Sequence, residues 1–168
     1  MAFMYNNLVT LKTAMENAYS NLEVQQSRRW DLIPDLQKYV GKYMAHESET
    51  LTQIAGLRTR AMAAGAPLNE KVRLDNELQK TMGSIMVNIE NYPQLKASGN
   101  MMHLQSTEVE TESQIAASMR TYNSAVTSYN NAVLTIPSSI IASMFKFSRA
   151  EMLEIPEYKK ENPPVSWS

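Results

Sequence analysis

Arg29 and Glu47 stand on helical stripes that are otherwise apolar. So do Gln105, Glu108 and Glu112 when the heptad around Ile115 is run backward. A charge on a core-facing stripe must be paired, or it costs several kcal/mol. Arg28, Arg29, Glu47, Glu108 and Glu112 therefore form a candidate polar layer, in which an arginine faces one or more glutamates. Such a layer has two chemistries open to it. It can be a structural network that fixes helix register. It can also be an end cleft whose arginine takes a small anionic ligand or takes part in catalysis. A closed, fully bonded layer favours the first, and an open pocket with an unpaired arginine favours the second.

The other reactive residues offer less. His46-Glu47 does not open a zinc-binding HExxH, because position 50 is Thr50. Neither His46 nor His103 completes the Glu-x-x-His of a di-iron bundle, since positions 43 and 100 are Tyr43 and Asn100. No metal site and no cofactor is expected. There is no cysteine, no GxSxG and no glycine-rich phosphate loop, so no nucleophile–base pair is visible. Tyr122-Asn123 and Tyr129-Asn130 repeat seven residues apart on one helix face. Tyrosines at such boundary positions bury the ring and leave the hydroxyl wet or bonded, so core packing is expected there, with a binding strip as the alternative.

The elements that position these residues follow from periodicity. Apolar residues recur at spacings of three and four over most of the 168 residues, which is the helix period. A first helix is predicted from Tyr5 to Arg29, with the stripe Leu8, Leu11, Met15, Ala18, Leu22. A second is predicted from Asp31 to Met62, with Asp31 as N-cap and Pro34 in the first turn. Ala63 to Pro67 (sequence AAGAP) reads as a turn. A third helix is predicted from Leu68 to Asn91, closed by Tyr92-Pro93. A fourth is predicted from Ser98 to Ile136, with the heptad Ile115, Met119, Tyr122, Val126, Tyr129, Val133, Ile136. Pro137 stops it, and Ser138 or Ser139 can cap a short fifth helix through Phe145. The short connections predict an all-α, antiparallel up-and-down four-helix bundle over residues 5–146. Residues 147–168, with Pro156, Pro163 and Pro164, are expected to be an extended tail of the same single domain, 1–168.

Composition agrees with long helices: 5 glycines, 12 methionines and no cysteine. The net charge of −1, with acids and bases interspersed, gives no basic stripe for nucleic acid. No run of 18 apolar residues is long enough to span a bilayer.

Residues 28–47, RRWDLIPDLQKYVGKYMAHE, resemble the signature of the LemA family of bacterial helical proteins. Tyr92 to Ala97 (YPQLKA) is similar to the family's YPxLKA corner. Leu104-Gln105 with Thr111 to Ala116 is similar to its LQ…TE..IA stretch, and Tyr122 to Asn130 to its YN..V..YN pattern. Pro137 to Phe147 and Pro164-Val165-Ser166-Trp167 are similar to its last two patterns, so the resemblance runs in order along essentially the whole chain. Trp30, Asp35 and Met101-Met102 depart from the usual residues. The resemblance implies a helical fold and no established reaction. It also implies attachment to the bacterial cell membrane by one N-terminal transmembrane helix just upstream of a Tyr-Asn like Tyr5-Asn6. This chain starts where that anchor would end, so the anchor is either removed or naturally missing, and the chain itself is expected to be soluble. The leading expectation is a non-enzymatic scaffold or interaction module with a protein partner. The alternative is a ligand-binding or catalytic protein using the Arg29/Glu47/Glu108/Glu112 layer.

Overall fold

The computed structural model describes residues 1–44, 48–63 and 65–155, and within them the regular structure is helical throughout. The helices are α1 (Ala2–Asp31), α2 (Ile33–Tyr43), α3 (Ser48–Ala61), α4 (Leu68–Asn88), α5 (Pro93–Lys96), α6 (Gly99–Leu134) and α7 (Ser138–Met144). A 3-10 turn, Ile89–Asn91, joins α4 to α5. The fold is all-α. The chain forms two compact units. One comprises Gln25–Ser113; the other comprises Met1–Val24 and the chain from Gln114 onward.

In the Gln25–Ser113 unit, the corner after Asp31 differs from the sequence expectation. Asp31 is the last residue of α1 and does not cap α2. The N-cap position is Leu32, itself in helical space at φ −76°, ψ −18°, with no side-chain cap. The chain is thus nearly one helix across the corner. Leu32 N–H reaches the Arg29 carbonyl at 3.1 Å, and Leu36 N–H the Leu32 carbonyl at 3.0 Å. Pro34 has no N–H to give to the residue four before it, Trp30. The Trp30 carbonyl instead accepts from Arg58 Nε on α3, at 3.1 Å. A guanidinium from another helix replaces the one bond that the proline removes, so the break stays a single residue long.

That bond has a measurable consequence. Arg58→Met should cost about 1 kcal/mol, the net worth of a lost hydrogen bond at a partly exposed site. In a Pro34→Ala background the cost should shrink, because the backbone N–H gained at position 34 can reach the Trp30 carbonyl itself. Urea melts of the four-member cycle check this, and equal losses in both backgrounds would refute the replacement.

The predicted second helix is two helices. Gln37 Nε2 donates to the Leu51 carbonyl at 3.3 Å. Fourteen residues of straight helix would hold these positions roughly 21 Å apart, so the chain reverses between α2 and α3. Met44 leaves helical space at φ −121°, ψ 63°, while its N–H still bonds the Val40 carbonyl. Between α3 and α4 the turn falls where expected, and Gly65 takes φ +81°, a conformation that disfavours any side chain. Ser98 Oγ accepts from Met101 N–H at 3.1 Å and so caps α6. The core of this unit collects Trp30 of α1; Ile33, Leu36 and Val40 of α2; Ile54, Leu57 and Ala61 of α3; Leu74, Leu78, Met82 and Ile85 of α4; and Met101 and Leu104 of α6.

In the other unit α1 and α6 run antiparallel. Leu8 packs with Tyr129 and Val133, Tyr19 stacks edge-on to Tyr122, and Asn21 donates to Ser118. The partner number falls as the α1 number rises. Ile115, Met119, Tyr122, Val126, Tyr129 and Val133 are buried, as the heptad requires. Ile136 is not: it is 84% exposed, because α6 ends at Leu134 and the stripe stops with the helix. Pro137, not a serine, occupies the N-cap position of α7, and Ser138 Oγ bonds back to the Thr135 carbonyl. After α7 the chain turns through Lys146 at φ +58°. Lys146 N–H bonds Ser143 O and Phe147 N–H bonds Ala142 O, the paired bonds of a Schellman end. Residues 147–155 then run without regular secondary structure. The rest of the expected tail, with Pro156, Pro163 and Pro164, lies outside the described residues.

Candidate functional site

Arg29, in the last turn of α1, is 0% exposed. Each nitrogen of its guanidinium faces a carboxylate. Nη1 lies 2.8 Å from Asp75 Oδ2 on α4, and Nε lies 3.3 Å from Glu108 Oε1 on α6. Nη2 bonds Glu112 Oε2, one turn further along α6. The side chains of Asp75, Glu108 and Glu112 are 1%, 12% and 22% exposed, so the cluster closes from the α4 side outward. Glu108 and Glu112 are four residues apart and therefore share a helix face.

Of the five residues singled out from sequence, the structure brings Arg29, Glu108 and Glu112 together. Arg28 is exposed on the neighbouring face and donates to Gln25 Oε1 at 3.4 Å. Glu47 and His46 lie outside the described residues. Gln105, the next interruption along α6, donates to Met86 Sδ at 3.5 Å. Asp75 is the member that sequence reasoning missed. The signal was present: Val72, Asp75 and Leu78 are spaced by three, so Asp75 fills a stripe position of α4 that an apolar residue would otherwise hold.

The Tyr-Asn repeat forms a second constellation, in the unit that contains Gln114 onward. Asn130 Nδ2 donates to the Ala150 carbonyl at 2.9 Å, and Ala150 N–H donates back to Asn130 Oδ1 at 2.8 Å. Asn123 does the same with Leu153, at 2.9 and 2.8 Å. Tyr129 Oη donates to Ser148 O at 3.0 Å and Tyr122 Oη to Glu151 O at 3.3 Å. Both rings are buried. Burial pushes both phenols up from the ordinary tyrosine range, helped by Tyr19 and Glu151 at Tyr122 and by Glu16 at Tyr129. Held neutral, each keeps the proton it donates. The rings pack as expected, while the hydroxyls and amides do something the repeat alone did not reveal: they hold the main chain of residues 148–153.

The spacing explains the match. Seven helical residues advance about 10.5 Å, and three residues of extended chain advance about 9–10 Å. A heptad step on α6 thus meets every third residue of the segment.

Comparison with known proteins agrees with the fold. The sequence pattern of the LemA family matches residues 18–167. Protein LemA of Metamycoplasma hominis is 26% identical over 163 residues, covering 96% of this chain and 74% of that protein. Magnetosome protein MamQ 2 of Paramagnetospirillum magneticum is 25% identical over 175 residues, covering 89% of this chain and 64% of that protein. Magnetosome protein MamQ of Magnetospirillum gryphiswaldense is 23% identical over 172 residues, at 88% and 63%. The chain thus spans a little under two thirds of the length of these magnetosome relatives. With the pattern matched over nearly the whole chain, on an all-helical fold, this protein belongs to the LemA family.

Proposed function

We propose that this protein is a non-enzymatic scaffold or interaction module associated with a bacterial membrane, in which the Arg29 layer is a structural lock on helix register. The observation that carries the second half is the state of Arg29: fully buried, with an acid against every nitrogen. An anionic ligand would have to displace a carboxylate from a guanidinium that already faces three. The geometry therefore disfavours anion capture. The membrane association is what kinship with the LemA family supports; no helix among the described residues is long and apolar enough to cross a membrane.

Equilibrium dialysis of the full chain against labelled phosphate and labelled succinate tests the lock. No saturable binding is expected. Saturable uptake that Arg29→Met removes would overturn the reading in favour of a ligand site.

A further inference from the structure

We propose that the Tyr-Asn face of α6 is a binding groove for extended polypeptide. Residues 147–155 are its resident occupant, displaceable by an extended segment of a partner protein. This deepens the interaction-module reading and rests on it, by naming the surface and the chemistry of what binds there.

The recognition is almost entirely of main chain. All six hydrogen bonds of the ladder join an α6 side chain to a backbone N–H or C=O of the segment. Main-chain groups are common to every polypeptide, so the ladder does not depend on the occupant's side chains. It sets two other requirements. The residues at the two asparagine rungs, three apart, must carry an N–H and so cannot be proline. The side chains turned inward at that same period must be apolar or small. In the resident these are Phe147, Ala150 and Leu153, while residues 148, 149, 151, 152 and 154 are exposed. A period of three is that of an extended, polyproline-II-like chain, which has no internal hydrogen bonds and leaves its backbone free for a partner.

The resident is also tethered in a way that favours exchange over permanent burial. Its entry residue, Lys146, sits at φ +58°, which a side chain adopts only against steric resistance. Beyond it, Leu153 is the one residue of 147–155 that is buried. Lifting the segment uncovers the inward side chains of Phe147, Ala150 and Leu153 and leaves residues 148, 149, 151, 152 and 154, already exposed, as they were.

Two measurements test this. Hydrogen exchange on the unmodified chain compares the Ala150 and Leu153 amides with that of Val126 in α6. The proposal expects local opening, with amides 150 and 153 exchanging together and faster than Val126. Exchange of all three at one rate, through a common unfolding, would show that the segment never leaves and would overturn it. The second uses the full chain carrying Ala150→Pro and Leu153→Pro, which removes both rung donors while keeping the chain extended. A fluorescent peptide with the sequence of residues 146–155 should bind this variant saturably, as read by anisotropy. It should bind the parent about tenfold more weakly or less, because the resident lowers the open fraction. Adding Asn123→Ala and Asn130→Ala should abolish binding. No binding to a proline variant of unchanged helical content would overturn the groove and leave the scaffold reading standing. Anion binding at Arg29 would do the reverse.

Discussion

Arg29→Met should lower stability by about 3–5 kcal/mol, because it removes the cation that Asp75, Glu108 and Glu112 share and leaves three acids inside the layer. Methionine fills most of the vacated volume, so the loss is electrostatic. Arg29→Ala should cost about 1–2 kcal/mol more through the cavity it opens. Neutralising one acid is a different matter. With Glu112→Gln or Glu108→Gln, Arg29 still faces two carboxylates, and some like-charge repulsion is relieved. Each should therefore cost at least about 2 kcal/mol less than Arg29→Met, given that stranding a buried charge dominates such losses. Among the acids, Asp75→Asn should cost most, since that side chain is 1% exposed and cannot turn to water. Denaturant melts of the five variants give the order. An Arg29→Met melt within about 1 kcal/mol of the parent, the range of an exposed ion pair, would refute the buried layer.

The layer was legible because a charge on an apolar stripe is a local contradiction that tertiary structure must resolve. Arg29, Glu108 and Glu112 were visible in this way. Asp75 carries the same signal, but a stripe drawn only through the apolar members of α4 passes over the gap between Val72 and Leu78. The all-α class was legible from the period of three and four.

The reversal between α2 and α3 was not. Leu36, Val40, Leu51 and Ile54 keep the phase of one helix through the corner, and neither glycine nor proline marks it. The available signal was the polar run His46 to Glu49, with Glu47 breaking the stripe. At the Asp31 corner the error ran the other way. Asp-Leu-Ile-Pro carries a strong stop signal, yet the proline removes only one backbone bond, and Arg58, distant in sequence, supplies a substitute. The segment ladder was hidden for a related reason. Tyr-Asn at heptad spacing identifies a face, but its partners are backbone groups, which leave no trace in side-chain types.

Val126→Asp should be the most damaging change outside the Arg29 layer. Val126 is fully buried on α6, on the same stripe as Tyr122 and Tyr129. The hydroxyls of those two neighbours are already committed to the Glu151 and Ser148 carbonyls. A carboxylate placed between them either stays charged without a cation or takes up a proton and remains a buried polar group. Both routes are unfavourable, and the expected loss is about 4 kcal/mol. That corresponds to a fall in Tm of roughly 8–16 °C for a chain of this size. Val126→Thr separates charge from shape. Its hydroxyl can bond the Tyr122 carbonyl one turn back, so the loss should be only about 1–2 kcal/mol. Glu110→Ala, at an exposed position of the same helix, should stay within about 0.5 kcal/mol of the parent. Thermal melts of the three variants check the assignment. A Val126→Asp melt that matches Glu110→Ala would mean that the α6 stripe does not face the core, and the heptad from Ile115 to Val133 would have to be re-phased.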